Sequence, residues 1–549
     1  MQIFPTRSAA HVSIGALAIA GVGLIAREPA IVGWAGAMVV AMALARAVTL
    51  VSISRIRAAG FEMLWTGHKR LIRTGRGSTI EVEAEVRNRD TLAARFVRLR
   101  PIASSQLEIK IIPEAGEVPA SGRLKVKVSV HTPRVGQHGL HGLALEVHGA
   151  PGLFEVPLTF ANPFGIEVMP RSFAAWLPSP RGGRSKLLAH TGRPGRARGD
   201  GSDLRELREH RPGDPFRRIA WKASARRGQL LVRDFEREER DVVWVVLDAS
   251  VELWSGPLGR APLDLAIDEA ASICQRYLSR GDRVGLVVYA ATVRAFLPPD
   301  QGPVHGHKIV QALLGATSTY DAARSDLDEA DVAVRVLEHM RPLDGRGLSD
   351  LRRGDLDRLA MRADAVRSRA PFNPPVPEAR SSRERTLRRY LASYGIESPP
   401  RSEPDRHQAG QVLADVLQQI GKHKPTSSIV HVVAPAPSEV AHEKPLHESL
   451  RRLARHGVTL HWSVAQFEPA LMPPYDPPRR TDGSALLTDA DDVVNWEDDA
   501  GDAARAVLVR TRVAVTRCEA TLRAMGVRIT RLRTTVPRRP DIPDEPAAK

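Results

Sequence analysis

The N-terminal part of this chain contains two long apolar runs, and they constrain the fold more than any other feature of the sequence. Residues 9–26 (AAHVSIGALAIAGVGLIA) and 30–45 (AIVGWAGAMVVAMALA) are separated only by the sequence Arg-Glu-Pro. A helix needs about 20 apolar residues to cross the hydrocarbon core of a bilayer, and each run approaches that length. The second run also extends through AVTLV if Arg46 snorkels toward the headgroups. We therefore predict a transmembrane helical hairpin over residues 1–58.

The charges that flank the hairpin predict its orientation. Arg7 precedes it, and it is followed by Arg46, Arg55, Arg57, Lys69, Arg70, Arg73 and Arg76. Since positive flanks stay on the cytoplasmic side, the sequence predicts a protein of the cell inner membrane with two spans and cytoplasmic soluble domains. A cleaved signal peptide is the alternative, because AIA at residues 18–20 resembles a cleavage site. The second apolar run follows immediately, and this argues against export.

Length, charge and cysteine content narrow the remaining choices. A chain of 549 residues exceeds one ordinary core, so we expect two or three domains. Its 79 Lys and Arg against 63 Asp and Glu give a net charge of +16, which favours anionic partners such as phospholipid headgroups, acidic proteins or nucleic acid. Cys274 and Cys518 are far apart and lack metal-ligand spacing, which suits a reducing compartment.

Short alternating segments between Gly, Pro and Asn predict a β-sandwich-like domain over residues 59–170. Four histidines in this domain raise the alternative of a metal cluster, and they are His131, His138, His141 and His148. Histidines scattered along strands are usually surface or edge residues, so we favour an ordinary structural role for them.

The pattern changes after residue 170. Residues 171–240 form an Arg-rich linker and signature segment, in which DLRELREHRPGD is predicted as a short charged helix. Residues 241–469 alternate apolar strands such as DVVWVVLD with amphipathic helices, which predicts an α/β domain with a doubly wound parallel sheet covered on both faces. A charged, Pro-interrupted stretch at about 319–424, with helices expected in LDEADVAVRVLEHM and RERTLRRYLASYG, is predicted as an insertion in this domain. Residues 470–549 are predicted as a C-terminal tail.

The end of the strand DVVWVVLD carries the first candidate site. Asp248 ends the strand, and Ser250 follows two residues later. Ligands of parallel sheets bind at the carboxyl ends of the strands, where a carboxylate and a hydroxyl could hold a divalent metal. The alternative is structural, because a carboxylate at a strand end commonly caps a helix or accepts backbone N–H groups.

A helix predicted in PFRRIAWKASARR carries the second candidate site. Asp214 is expected to cap it, with Pro215 at its first position. The basic residues of this segment could contact lipid phosphates, an acidic patch on a protein or nucleic acid, and they are Arg217, Arg218, Lys222, Arg226 and Arg227. We favour a structural clasp instead, in which Ile219 and Trp221 pack against the sheet. The arginines would then pair with acidic residues of the next strand, Asp234, Glu236, Glu238 and Glu239.

The segment around these two sites resembles a known family. The run GDGSDLRELREHRPGDPFRRIAWKASARRGQLLVRDFEREERDVVWVVLDAS is similar to the signature of the bacterial domain-of-unknown-function fifty-eight family, through LRE, RPGD, RRIAWKASAR, LLVRDFE and the following strand Asp. ANPFGIEV upstream resembles the end of the β-domain of that family, and RRLARHGVTLHWSVAQFEP downstream resembles its last sheet strand. The resemblance covers about residues 9–318 and 425–469, whereas the insertion and the tail look peculiar to this chain. It implies two N-terminal spans, a small β-domain and a von Willebrand factor A-like domain.

The resemblance also bears on the metal. Intact von Willebrand factor A domains bind Mg²⁺ through Asp-x-Ser-x-Ser on the first strand-to-helix loop, with a Thr and an Asp from two other loops. Asp248 and Ser250 match the first two positions, but Glu252 replaces the second serine, and residues 434–437 (APAP) stand where the family pattern has an Asp. Glu252 could supply the missing carboxylate, the site could be dead, or Glu252 could face solvent. We predict a degenerate site and no cofactor, with Mg²⁺ as the alternative.

Members of this family are often encoded beside MoxR-type AAA+ ATPases, so the resemblance implies an assembly or chaperone-like role with such an ATPase. No catalytic activity is established for the family, and the sequence offers no Ser-His-Asp or Cys-His arrangement and no P-loop. We therefore predict a membrane-anchored, non-enzymatic scaffold whose A-like domain binds a protein partner, a AAA+ ATPase, and whose hairpin contacts membrane lipids. The alternative is an anion-binding module that uses the basic region 181–227 on acidic lipid or, as the less favoured ligand, nucleic acid.

Overall fold

The computed structural model of the chain describes residues 3–67, 70–149, 152–174, 193–239, 241–254, 256–343, 355–401, 406–423, 428–437, 444–465, 510 and 513–532. The chain divides into two compact units. The first, called the β-sandwich unit below, consists of Met1–Met169 and Thr317–Ser402. The second, called the α/β unit, consists of Pro170–Ala316 and Glu403–Lys549. Helices and strands are numbered along the chain.

The two apolar runs form helices α1 (Arg7–Ala26) and α2 (Pro29–Gly60). Arg27, with a φ of 55°, ends α1 in the left-handed conformation, and Pro29 opens α2, where its missing N–H is not needed. Both helices are long and apolar enough to cross a membrane, and only 17% of the most apolar stretch of each is buried within the molecule. The prediction of two apolar N-terminal helices is confirmed.

Two sheets make up the sandwich of the first unit. Their strands are β1 (Phe4–Pro5), β2 (Phe61–Trp65), β3 (Leu71–Gly75), β4 (Thr79–Asn88), β5 (Ala94–Ala103), β6 (Glu108–Ile112), β7 (Gly116–Val118), β8 (Arg123–His131), β9 (Gly136–His148) and β10 (Phe154–Met169). One sheet has the order β1-β10-β9-β5-β7, with β3 also paired to β10, and the other has the order β2-β4-β8-β6. Paired strands are antiparallel except β3 and β10.

Strand β8 shows why this part of the sequence folds into a sandwich. In the segment RLKVKVSVH, Val126 and Val128 are buried, whereas Lys125 and Lys127 are exposed. Side chains of a strand alternate between its two faces, so one face joins the core and the other faces water. The valines pack in one hydrophobic core with residues of the facing sheet such as Leu143.

A segment of three helices belongs to the same unit. Its helices are α7 (Glu329–Leu343), α8 (Leu356–Arg367) and α9 (Ser382–Tyr394). Their apolar faces form a hydrophobic core of their own, in which Val336, Leu387 and Tyr390 are fully buried. Helix α7 also packs against β10, and α9 against β9.

The sequence predicted helices in this segment but placed them in an insertion of the α/β domain. In the structure the segment up to Ser402 belongs to the β-sandwich unit. Helix α10 (Arg406–Lys422), which lies within the expected insertion, instead contributes Leu413 and Leu417 to the core of the α/β unit. The division follows the apolar faces, because α10 buries its face against the parallel sheet and the other three helices bury theirs against one another.

The α/β unit contains a six-stranded sheet and a separate two-stranded ribbon. Besides α10, its labelled helices are α3 (Arg171–Ala174), α4 (Trp221–Arg227), α5 (Pro262–Ser279), α6 (Pro303–Ala316) and α11 (Lys444–Arg455), and residues 513–524 are also helical. The ribbon pairs β11 (Arg193–Glu209) with β12 (Leu231–Glu239). The sheet strands are β13 (Val242–Asp248), β14 (Arg283–Tyr289), β15 (Val293–Asp300), β16 (Ile429–Ala434), β17 (Thr459–Val464) and β18 (Arg528–Arg531).

The sheet has the order β15-β14-β13-β16-β17-β18, and all neighbouring strands are parallel except β15, which is antiparallel to β14. Every residue of the central strand β13 is buried. A strand buried throughout needs cover on both faces, and this accounts for its continuous apolar sequence. Trp244 and Val246 pack in one core with residues of α10 and α11.

Two strands differ from the sequence prediction. The stretch DLRELREHRPGD, predicted as a charged helix, contains the end of β11, and part of the expected linker before it is also in this strand. Pairing along β12 satisfies the backbone of β11, and this tertiary pairing outweighs the helical preference of Leu, Arg and Glu. The expected last strand, β17, is followed by a further parallel strand, β18, which is preceded by helical residues 513–524.

Candidate functional site

Asp248 lies at the carboxyl end of β13, as the sequence predicted, and is 5% exposed. One of its carboxylate oxygens, Oδ1, accepts the backbone N–H of Ser250 at 2.9 Å and the Ser250 hydroxyl at 2.5 Å. Both groups are buried, so the serine holds the carboxylate in a fixed position. These bonds match the structural role weighed above, in which a carboxylate at a strand end accepts a backbone N–H.

A small cavity of about 40 Å³ opens beside Asp248. Asp248 and Tyr289 provide the polar part of its lining, and the apolar part comes from Ala409, Gly410, Leu413, Ala434, Pro435, Ala436, Pro437, Leu446 and Trp462. The volume is enough for a few water molecules and too small for a metabolite-sized ligand. Within the described residues, the cavity therefore marks a rim of the sheet.

The residues around Asp248 do not fit Mg²⁺. This ion requires near-octahedral oxygen ligands, and residues 434–437 are alanines and prolines without side-chain oxygens. Glu252 is half-buried on the 3₁₀ turn Val251–Trp254 that follows the strand. Within the described part of the chain, no group of three or more His, Cys, Asp or Glu residues is placed to hold a metal ion.

Asp214, at the second candidate site, closes a turn and does not cap a helix. Its carboxylate accepts hydrogen bonds from both terminal nitrogens of Arg208, at 2.7 and 2.6 Å, and from the N–H of Arg211 at 2.8 Å. The hydrogen bonds from Arg208, followed by that from Arg211, hold the pKa of Asp214 well below its usual range. The predicted cap is wrong: Pro215 precedes the 3₁₀ turn Phe216–Arg218 without a side-chain bond to it. A bidentate arginine is a stronger partner for a carboxylate than one backbone N–H.

The expected clasp around Trp221 forms only in part. Ile219 is buried and bridges to Val232 of β12, as the clasp requires. Trp221, however, is 61% exposed, so the prediction that it packs against the sheet is wrong. Ile219 and Ala220 fill the space beside β12, and Trp221 begins α4 on its outer side. The acidic side chains expected to pair with the arginines, Asp234, Glu236, Glu238 and Glu239, lie outside the part that the structure describes.

The basic residues of this segment are mostly at the surface. Arg217, Lys222, Arg226 and Arg227 are exposed, and Arg218 is half-buried. Helix α4 ends at Gly228, which has a φ of 67° and takes the left-handed conformation that favours glycine. The segment thus presents cations and one large aromatic ring to solvent.

Two histidine pairs were not identified from the sequence. In the β-sandwich unit, Nε2 of His339 lies 3.1 Å from Nδ1 of His141. In the α/β unit, His431 and His461 stack with ring centroids 4.6 Å apart. Each pair joins residues distant in the sequence, so no local pattern could have indicated it. The metal cluster weighed for the four histidines of the β-domain is not formed by the described residues, because His141 pairs with His339.

The fold and these sites define a mixed α/β protein with two apolar N-terminal helices, a β-sandwich and a mainly parallel sheet. Residues 206–367 match the family model described as Protein of unknown function DUF58, which confirms the resemblance predicted from the sequence. The match continues past residue 318, so the first part of the segment that was expected to be peculiar to this chain lies within the family model.

The chain is also similar to proteins of two mycobacterial species. Uncharacterized proteins of Mycobacterium bovis and Mycobacterium tuberculosis are 29% identical to this chain over 143 residues, which is 26% of this chain. The chain spans 45% of the length of these curated relatives. Among solved structures, the PapD-like domain of human CEP192 is 17% identical with a TM-score of 0.17, covering 20% of this chain and 86% of that domain. A Caenorhabditis elegans MSP family member is 8% identical with a TM-score of 0.14, covering 20% and 94%. Similarities at these TM-scores support no assignment.

Proposed function

We propose that this protein is a non-enzymatic scaffold, anchored in the inner membrane by α1 and α2, that holds a protein partner at the carboxyl ends of its sheet strands. The observation that carries the proposal is the position of Asp248. Asp248 ends β13, which pairs with β14 on one side and with β16 on the other. Ligands of doubly wound sheets bind at this point, where the strand order reverses.

The topology supports a von Willebrand factor A-like type for the α/β unit. Numbered in chain order, its six sheet strands are arranged 3-2-1-4-5-6, and only the third strand is antiparallel to its neighbour. Asp248 and Ser250 then occupy the loop after the first strand. In intact domains of this type that loop holds a metal, and the cation accepts a carboxylate from a partner.

The rim in this protein favours apolar contact over metal-bridged contact. Ala434, Pro435 and Ala436 are buried, and Pro437 is half-buried beside them. Pro437 is therefore the apolar side chain of this loop that a partner can cover, and proline loses little conformational freedom when it is covered. The small cavity argues against a metabolite as the ligand, and the fixed Asp248–Ser250 pair gives the rim a rigid shape.

The partner that we propose is a MoxR-type AAA+ ATPase. What supports this choice is the match of residues 206–367 to the family model, because members of that family are often encoded beside such ATPases. The proposed role is to hold the ATPase at the membrane while it acts on other proteins.

The test uses the full chain in lipid nanodiscs and a MoxR-type ATPase from the same organism. We expect saturable binding, measured by biolayer interferometry, that Pro437→Arg weakens roughly tenfold because a long cation then occupies the rim. Val304→Arg, on a residue that is 72% exposed in the same unit, is the matched control and should leave the affinity unchanged. A thermal melt of each variant verifies folding.

The proposal is wrong if the ATPase does not bind, or if both variants bind like the unmodified chain. Mg²⁺ should leave the affinity unchanged. Binding that requires Mg²⁺ and is lost in Asp248→Asn would instead establish a metal-bridged contact.

A further inference from the structure

We propose that the segment between β11 and β12 carries a membrane-contact surface that binds anionic phospholipid headgroups. This surface, called the aromatic-cationic surface below, consists of Phe216, Arg217, Trp221, Lys222 and Arg226. It is separate from the sheet rim of the proposed function.

The aromatic residues of this surface are unusually exposed. Phe216 is 75% exposed and Trp221 is 61% exposed. Leu207 and Leu230, at the ends of the segment, are 39% and 49% exposed. Exposed large apolar side chains that are close together in the sequence are candidates for contact with a partner or a membrane.

Helix α4 presents its outer face in a fixed direction. The hydroxyl of Ser224 donates to the carbonyl of Ala220 at 3.1 Å and accepts the N–H of Leu231 at 2.8 Å, which ties the inner face of the helix to β12. Residues four apart are neighbours on a helix, so Lys222 and Arg226 lie side by side. Trp221, the first residue of this short helix, is also at its surface. The exposed part of the helix therefore carries an aromatic ring as well as two neighbouring cations.

The charge of the segment is strongly positive. Arg217, Lys222 and Arg226 are exposed, while the acidic Asp214 is already neutralised by its bidentate pair with Arg208. An anionic partner is therefore complementary, since each Lys or Arg near a surface of acidic lipid increases binding about fivefold.

The aromatic residues favour an acidic bilayer over other anionic ligands. Tryptophan lies preferentially at the level of the headgroups, where its ring is in apolar surroundings and its N–H remains hydrated. Surfaces that rest on a membrane combine such rings with Lys and Arg on the polar side. The chain also carries two helices long enough to cross a bilayer, and a tether of this kind raises the local concentration of lipid around the segment.

Hydroxyl-radical footprinting of the full chain in nanodiscs tests the proposal at single residues. Oxidation rates of Trp221 and Phe216 are compared between discs of phosphatidylcholine and discs with about 30% phosphatidylglycerol, a fraction typical of an acidic leaflet. We expect both rates to fall roughly fivefold in the acidic discs and to recover as salt is raised. Met361, which is 74% exposed in the other unit, is the internal reference.

Matched variants separate charge from folding. Lys222→Gln with Arg226→Gln should abolish the protection of Phe216 and Trp221 by acidic discs. Arg451→Gln with Arg452→Gln removes the same charge from an exposed face of α11 and should leave the protection intact.

Three outcomes would overturn the proposal. The first is that Trp221 is oxidised at the same rate in both kinds of disc, without protection in either. The second is equal protection in both, which would mean apolar contact without headgroup recognition. The third is protection by added duplex DNA in neutral discs without any protection by acidic lipid, which would identify nucleic acid as the ligand.

Discussion

Two segments of this molecule are each held by a buried carboxylate, but they differ in where the partner arginine lies. In the helical segment of the β-sandwich unit, the side chains of Glu384 and Arg388 are 4% and 1% exposed. In the terminal segment of the α/β unit, residues 513–532, Glu519 is 1% exposed but its partners Arg531 and Arg523 are 43% and 56% exposed. The two ion pairs therefore differ in whether water can stabilise the arginine when its carboxylate is lost.

Arg388 connects several parts of the helical segment. Its Nε donates to Glu384 at 2.7 Å, and its terminal nitrogens donate to the carbonyls of Tyr320 at 3.1 Å and Leu327 at 2.7 Å. No water can replace these bonds without opening the core. The arginine therefore fixes helix α9 to the chain that leads into α7.

Glu519 has the corresponding place in the terminal segment. It accepts two hydrogen bonds from Arg531 of β18, at 2.7 and 3.0 Å, and one from Arg523 at 3.1 Å. The arginines reach solvent, so water can hydrate them when the carboxylate is lost. Of these three side chains only Glu519 is fully buried, so its negative charge is stabilised by the two arginines and not by water.

The largest effect is expected from Arg388→Ala. It leaves Glu384 buried without its cation, and breaking a buried pair in this way costs about 3–5 kcal/mol. We expect the free energy of unfolding of the full chain to fall by this amount in urea, with amide exchange in α7 and α9 accelerated first. Glu384→Leu with Arg388→Met removes both charges and should recover part of the loss. If Arg388→Ala unfolds like the unmodified chain, water must reach this pair and the comparison fails.

A smaller, asymmetric effect is expected at the terminal segment. Arg531→Ala leaves a buried carboxylate with Arg523 as its partner and should cost about 1–3 kcal/mol. Glu519→Leu leaves only solvated arginines, so a cost under about 1 kcal/mol is expected. Amide hydrogen exchange of β17 and β18 measures both variants locally. A larger effect from Glu519→Leu than from Arg531→Ala would reverse the argument from exposure.

The sequence predicted those parts of the fold whose pattern is local. The apolar pattern within each element was enough to predict the apolar hairpin, the alternating strand β8 and the continuous apolar strand β13. Strand β18 was missed because it has only four residues and depends on β17, far away in the sequence, for its pairing. The helical segment was predicted as helices, but its unit was not, since only tertiary packing decides which core a helix joins.

The candidate sites show the same limit. Asp248 and Ser250 lie where the strand pattern predicted, at the carboxyl end of β13. Asp214 was misassigned because its partner Arg208 was expected in a helix, whereas a strand leads Arg208 to the turn. The exposure of Trp221 could not be predicted, because Ile219 and Ala220 satisfy β12 without it. A tryptophan beside a buried isoleucine looks like a core residue in any local pattern.

The smallest effect is expected from the pair His141–His339, which should make the stability of the helical segment sensitive to acid. Nδ1 of His339 lies 3.0 Å from the hydroxyl of Tyr390, and its other nitrogen faces His141. Burial lowers the pKa of His141 to about 4, although nearby Glu397 raises it in part, and burial with the neighbouring His141 lowers the pKa of His339 to about 3.

Because folding lowers both pKa values, acid should destabilise the helical segment. Below the ordinary histidine pKa of about 6.5, the unfolded chain binds protons that the folded segment does not, so stability falls as the pH decreases from 6.5 toward 4. Between pH 6.5 and 5.5 each histidine should contribute a loss of roughly 1 kcal/mol. His339→Gln should flatten this slope, measured as amide protection of α7 against pH. The protection of α7 in the unmodified chain at each pH is the reference, because β18 pairs with β17, where burial also lowers the pKa of His461. If the pH dependence of α7 protection is unchanged in His339→Gln, water reaches the histidine pair. The helical segment would then exclude water no better than the terminal segment does.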